Sequence, residues 1–198
     1  MSKKNNVAFI LVIIFGISTI IFAIQSIQVR NWKDFRLSFL ALVSFSIPFI
    51  LRYIANKKKI VLPSYFQEIG LIFLFLTQYL GELRKFYLKI WWWDLLLHII
   101  FGIYAVLVAL YLTQGIIIRD KIATVNRFRF FNSIFSLSFS IALGTFWEIF
   151  EFLGDVLFKT NMVKGGLEDT LTDLIVHLLA AFLTSVIYYY HHNMEGSR

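Results

Sequence analysis

The sequence contains no cysteine in 198 residues, which excludes disulfides, thiolate metal ligands and a cysteine nucleophile. It also lacks the common phosphate-binding and hydrolase signatures: there is no Walker loop, no dinucleotide fingerprint, no H-E-x-x-H and no G-x-S-x-G. No stretch shows the two-residue alternation of a barrel strand, and nothing outside the apolar runs is long enough to build a water-soluble core. Acidic residues number 12 against 19 lysines and arginines, so where each carboxylate stands carries information.

What is present is apolar. Hydrophobic residues make up 59% of the chain and aromatics 18%, with 22 phenylalanines and a mean hydropathy of +0.73, well above the share in ordinary globular domains. Six runs of roughly 20 residues are each long enough to cross a hydrocarbon core about 30 Å thick; they cover 7–27, 37–54, 65–83, 93–112, 131–153 and 169–190. Only helices or closed barrels satisfy every backbone group in lipid. The expected fold is therefore all-α, a polytopic membrane protein built as a six-transmembrane-helix bundle in one domain over residues 1–198. Lys3 and Lys4 precede the first run as in a signal peptide. The run is longer than a signal core and has no small-x-small cleavage site, so it reads as a retained helix.

With the amino terminus inside, eleven of the basic residues fall on the inner side, among them Lys57, Lys58, Lys59, Arg119, Lys121, Arg127, Arg129 and Arg198. Eight fall outside, among them Arg30, Lys85, Lys89, Lys159 and Lys164. The bias points to a multi-pass protein of the cell membrane with both termini in the cytoplasm. In a chain this apolar, the net charge of +7 reads as contact with anionic headgroups, and no nucleic-acid-binding module is present. Membrane lipids are the expected partners, no nucleic acid is, and a homo-oligomer stays open. Trp91 to Trp93 at the outer face and Tyr188 to Tyr190 at the inner face suit aromatic belts.

Against that background, seven ionisable side chains stand inside three of the apolar runs: Asp94 and His98, Glu148 and Glu151, and Asp169, Asp173 and His177. Charge inside a bilayer is costly and marks a functional site by default. At 1.5 Å per residue, His98 lies about 8 Å inside the start of its helix, Glu148 about 8 Å inside the end of its own, and Asp173 and His177 about 6 and 12 Å inside the last one. Chain direction alternates between these helices, so all three sets fall in the outer half. The spacings are i+4, i+3 and i+4, i+8, which puts each set on one helix face.

Carboxylates this close cannot all stay ionised without a cation or protons among them. A divalent metal cation is expected, held by His98, Glu148, Asp169, Asp173 and His177, with Glu151 and Asp94 as acid or base. Mixed oxygen and imidazole donors suit zinc, manganese or iron, and an oxygen-dominated subset suits magnesium or calcium. Blander readings stand beside this one. Asp94 and Asp169 can cap their helices, Glu151 can reach headgroups or Lys159, and the two histidines can hydrogen-bond between helices. Ser136, Ser140, Gly144 and Glu148 form an i+4 stripe that suits close helix packing or, less simply, a polar track. Pro48 is expected to kink the second helix, and Glu68 to pair with a basic loop. Gly165 and Gly166 mark a tight turn or a weak anion cradle, with Lys159 and Lys164 as counter-charges.

The run from Trp93 to His98, the Glu148-Ile149-Phe150-Glu151 segment and the stretch from Gly165 to Asp173 together resemble the YjdF-type family of bacterial inner-membrane proteins, and more distantly the VanZ-like proteins associated with glycopeptide resistance. The resemblance covers about the second half of the chain. It implies a six-helix membrane protein and matches Asp94, His98, Glu148, Glu151, Asp169 and Asp173. Gly166 stands where that pattern carries an acid, Leu171 and Thr172 where it carries Gln-Trp, and His177 where Asn or Ala is usual, so His177 is a candidate replacement ligand. Three functional classes follow: a metal-dependent enzyme acting on a lipid or lipid-linked phosphate, a cation- or proton-coupled transporter, and a non-catalytic envelope or resistance protein with a structural metal. A site confined to the outer half favours the first.

Overall fold

The computed structural model describes residues 3–113, 124–159, 162–163 and 165–195, and among the described residues all regular structure is helical. The order is α1 (Lys3–Gln28), α2 (Trp32–Ser44), α3 (Ile47–Lys57), α4 (Phe66–Leu74), a π-helix (Phe75–Leu83), α5 (Phe86–Lys89), α6 (Trp93–Thr113), α7 (Val125–Phe158) and α8 (Leu167–Glu195). Arg119, Lys121, Lys164 and Arg198 lie outside the described residues.

The protein is an all-α polytopic membrane protein, and five of its helical spans are long and apolar enough to cross a bilayer: Val7–Gln28, Trp32–Lys57, Trp93–Thr113, Val125–Phe158 and Leu167–His191. These are the five candidate spans among the described residues, and the expected sixth, at 65–83, is not one of them. The run at 65–83 is α4 followed directly by the π-helix, nine residues each. It also carries Glu68 and Glu82, both buried. Glu68, expected to pair with a basic loop, makes no ion pair among the described residues.

Pro48 acts as expected on the second run. It stands in the first turn of α3, where the missing N–H and the ring interrupt the i→i−4 ladder, and the run divides into α2 and α3. Asn31 caps α2, accepting from the Asp34 backbone N–H at 3.1 Å and donating to Asp34 Oδ2 at 2.8 Å. Just beyond α1, α3, the π-helix and α7, the residues Arg30, Lys59, Lys85 and Lys159 adopt positive φ between 55° and 62°. Glycine is usual at such helix ends; here each carries a cation beside the negative end of the helix dipole.

The chain forms two compact units, one of Met1–Lys59, Ser64–Trp93 and Gly154–Met162, the other of Ile60–Pro63, Asp94–Leu153 and Val163–Arg198. The interior of the first is built mainly from apolar clusters, with Glu68, Glu82 and a few hydroxyls buried beside them. Ala8, Phe45 and Leu71 form one cluster, Leu37, Ala41 and Leu83 another, and Phe15, Phe75 and Tyr79 stack at 4.1 and 4.7 Å between ring centroids. Gly70 lets Pro48 approach to 3.1 Å of where a Cβ would stand. Trp91 and Trp92 are exposed and suit an interface belt, whereas Trp93 is buried edge-on to Phe86 at 5.0 Å.

In the second unit the inward faces are polar. On α7, Asn132, Ser133, Ser136, Ser140, Gly144, Glu148 and Glu151 are buried, while Phe130, Phe131, Phe146, Phe150 and Phe152 are exposed. This is the arrangement of a helix solvated by lipid outside and by polar partners inside. Val106, Leu110 and Ala181 form its apolar cluster, flanked by Leu137 and Tyr188.

Candidate metal centre

Three helices of the second unit deliver the site. α6 opens with Asp94 in its first turn and brings His98 onto the same face one turn later. α7 runs toward its end with Glu148 and Glu151 inward, and α8 begins with Asp169 and Asp173. Because α6 and α8 start at the level where α7 approaches its end, residues far apart in sequence meet.

His98 is the centre of the arrangement. Its Nε2 lies 3.3 Å from Glu148 Oε1 and 3.8 Å from Asp94 Oδ1. Three sets of donor atoms each fall within 4.8 Å of one another: Asp94, His98 and Glu151; His98, Glu148 and Asp173; Asp94, Asp169 and Asp173. The sets share Asp94, His98 and Asp173, so six of the seven residues read from the sequence come together. Asp169 is half-buried and the other five are buried, with Glu151 and His98 at 1% exposure. At that burial Glu151 is not a residue reaching for headgroups.

The donor chemistry fits a divalent cation. Among the described residues neither ring nitrogen of His98 makes a hydrogen bond, nor does Glu148 Oε1, although buried polar atoms are almost always satisfied by protein, water or an ion. An imidazole in contact with two carboxylates, with further carboxylates within reach, is a mixed nitrogen and oxygen set of the kind that zinc, manganese and iron accept. The clusters are consistent with a metal-binding site.

His177 stands apart from these sets. Its Nε2 lies 2.9 Å from the Ser140 carbonyl oxygen and 3.1 Å from Ser140 Oγ, and that hydroxyl donates to the Gly102 carbonyl at 3.1 Å. With Nε2 carrying the proton, the imidazole donates to the carbonyl and ties α8 to α7, while Ser140 ties α7 to α6. Glycines make room for it: a Cβ at Gly144 would sit 2.8 Å from the imidazole, and one at Gly102 would sit 2.8 Å from the His177 carbonyl oxygen. The 140–144 part of the 136–140–144–148 stripe is thus a close-packing face, and the stripe ends in Glu148 at the candidate site.

Two partners of the site were not read from the sequence. The Trp147 indole N–H donates to Glu151 Oε1 at 2.8 Å, and the Thr170 side chain hydrogen-bonds Glu148. Trp147 stands i−4 to Glu151, a spacing that was available as a signal; Thr170 is one residue from Asp169 and had none. Gly166 has φ of 65° and Gly165 leaves space for Asp169, whose Cβ would lie 2.9 Å from an added Cβ. The glycine pair therefore shapes the turn into α8. Lys164, named beside it as a counter-charge, lies outside the described residues.

The chain belongs to the family described as "Predicted membrane protein (DUF2238)", whose model matches residues 7–194. This overturns the resemblance to YjdF-type and VanZ-like proteins. The motifs that carried it, D-x-x-x-H, E-x-x-E and D-x-x-x-D, are short helix-face spacings that any intramembrane carboxylate site can adopt. A Thermotoga maritima protein described as "Uncharacterized protein" is 32% identical over 117 residues, a match that covers 58% of this chain and 57% of that protein. The chain thus spans little more than half the length of that relative. No solved structure matches the chain.

Proposed function

We propose that the protein holds one divalent cation by His98, Glu148 and Asp173, with Asp94 and Glu151 beside it and Asp169 at its edge, in the outer half of the membrane, and uses it on the phosphate of a lipid or lipid-linked substrate. The observation that carries this reading is the His98 imidazole, 1% exposed, with no hydrogen bond on either nitrogen among the described residues and two carboxylates within 3.8 Å. A buried imidazole so placed is costly alone and favourable as a ligand.

A bound divalent cation supplies Lewis-acid polarisation of a phosphoryl oxygen. The remaining roles fall to the chain. Glu148 and Asp173 neutralise the cation, Trp147 fixes the Glu151 carboxylate by its indole N–H, and Glu151 and Asp94 hold or release the proton that a hydrolytic or transfer step moves. The site stands near the start of α6 and α8, where a substrate headgroup at the membrane surface comes within reach. Both termini in the cytoplasm would place that surface outside.

Purified protein with added zinc, manganese or magnesium, tested on phosphatidic acid, lysophospholipids and polyprenyl phosphates, is expected to release phosphate or exchange headgroups, and to stop on chelation. Metal-independent turnover, or none on any phosphate lipid with the site loaded, overturns the enzyme reading. A cation- or proton-coupled carrier is favoured by one observation, the buried hydroxyls that continue along α7 away from the site. That reading requires cation-driven flux in proteoliposomes.

A further inference from the structure

Beyond Gly144 the inward face of α7 holds four more polar side chains, and three of them have a buried oxygen with no hydrogen-bond partner among the described residues. Ser140 is engaged with Gly102 and His177. Ser136 Oγ, Ser133 Oγ and Asn132 Oδ1 have no hydrogen-bond partner among the described residues, at exposures of 0%, 8% and 5%. Ser185 Oγ on α8, 4% exposed, is in the same condition. Helical serines and threonines usually bond back to their own preceding turn, as Thr19, Ser26, Ser38 and Thr184 do in this chain. These do not.

The register brings the four together. His177 meets Ser140 at 2.9 Å, and α7 and α8 run in opposite directions, since Asp173 lies beside Glu148. Moving eight residues along each helix, about 12 Å at the helical rise, sets Ser185 at the level of Asn132 and Ser133. The Gly102–Ser140 hydrogen bond registers α6 in the same way and brings Val106 to the level of Ser136. On the facing helices these levels carry the alanines Ala105 and Ala109 beside Val106 and Leu110 on α6, and Ala181 on α8, all buried, so the polar oxygens lie along the edge of that apolar cluster. Four buried, unsatisfied oxygens of hydroxyl and amide groups within a few turns form a polar lining, and polar buried spaces hold ordered water whereas empty ones are apolar.

We propose that this lining binds a file of water molecules that runs along α7 from Asn132 and Ser133 past Ser136 to the His177–Ser140 contact. The file is independent of which reaction the metal centre performs. It gives the buried site a hydrated approach from the end of the helices opposite to Asp94 and Asp169, so that water and protons reach it without crossing lipid. The His177 imidazole, wedged between Gly102 and Gly144, stands where file and site meet.

The absence of native cysteine makes the test direct. Single variants Ser136→Cys and Ser133→Cys, with Ser185→Cys as the equivalent on α8, are exposed in membranes to silver ion, an aqueous thiolate reagent close to water in size. Unreacted thiol is then alkylated after unfolding in detergent and counted by mass spectrometry. Ile134→Cys, at a lipid-facing position of the same turn with 48% exposure, is the dry reference. The file predicts that cysteines at 133, 136 and 185 react at least an order of magnitude faster than the one at 134. Equal, slow reaction at all four positions overturns it. Metal content measured on the same variants separates the two claims: fast reaction at 136 in a protein that never binds metal keeps the file and rejects the metal centre, and slow reaction in a metal-loaded protein does the reverse.

Discussion

In the first unit, helices meet through ring faces and small apolar contacts: Phe15 on Phe75 on Tyr79, Pro48 against Gly70, Leu37 with Ala41 and Leu83. In the second, α6, α7 and α8 meet through Asp94, His98, Glu148, Glu151, Asp173 and His177, with serines and glycines between them. From the lipid side the two are alike, both covered with isoleucine, leucine and phenylalanine. Lipid is as apolar as leucine, so burying apolar surface between helices gains little beyond packing. A membrane protein therefore does not need a polar interior to hold its helices together; the first unit buries Glu68 and Glu82 outside any donor set among the described residues, whereas the second gathers five carboxylates and a histidine, and that concentration is what points to chemistry there.

The largest effect that would break this contrast concerns the ligands. His98→Ala, Glu148→Gln and Asp173→Asn are each expected to remove most of the bound metal while leaving insertion and yield intact, measured by elemental analysis beside membrane fractionation. Trp147→Phe removes the N–H that orients Glu151, and the expected cost is about 10–100-fold in metal affinity, as for other partners of metal ligands; competition with a chelator of known affinity reads it. Gly144→Ala pushes a methyl into the His177 imidazole and should lower stability by about 1–3 kcal/mol, the usual range for overpacking, with metal content unchanged because His177 lies outside the donor sets.

Phe75→Ala sharpens the comparison from the other unit. It is expected to cost on the order of 1–2 kcal/mol, less than a core truncation in water because lipid rather than water is the reference, and to leave metal untouched. A loss of metal in that variant would mean that the apolar unit is not a passive frame. Ser140→Ala is the mildest change, expected to cost roughly 0.6 kcal/mol, the average for an interhelical hydrogen bond in lipid, seen as a small shift in thermal unfolding in detergent.

The sequence was most legible where hydropathy and depth act together. The spans of α1, α6, α7 and α8 overlap the runs at 7–27, 93–112, 131–153 and 169–190, because a stretch of twenty apolar residues has one stable form in lipid. At 65–83 the run is helical from Phe66 to Leu83, but hydropathy does not report the change from α to π geometry at Phe75. Helix-face spacing brought Asp94, His98, Glu148, Glu151, Asp169 and Asp173 to one level. It did not separate His177 from them, since a histidine at i+4 from Asp173 looks the same whether it faces a carboxylate or the Ser140 carbonyl. That distinction depends on how closely Gly102 and Gly144 let the helices approach, which is a property of packing between helices and not of any one of them.

The most direct test of the metal centre is the metal content of the protein purified in detergent without chelator, beside Asp173→Asn, by elemental mass spectrometry. Near-stoichiometric divalent metal in the wild type and its loss in the variant is the result predicted here. No metal in either after readdition, or equal metal in both, would contradict it and leave the buried carboxylates to be held by protons.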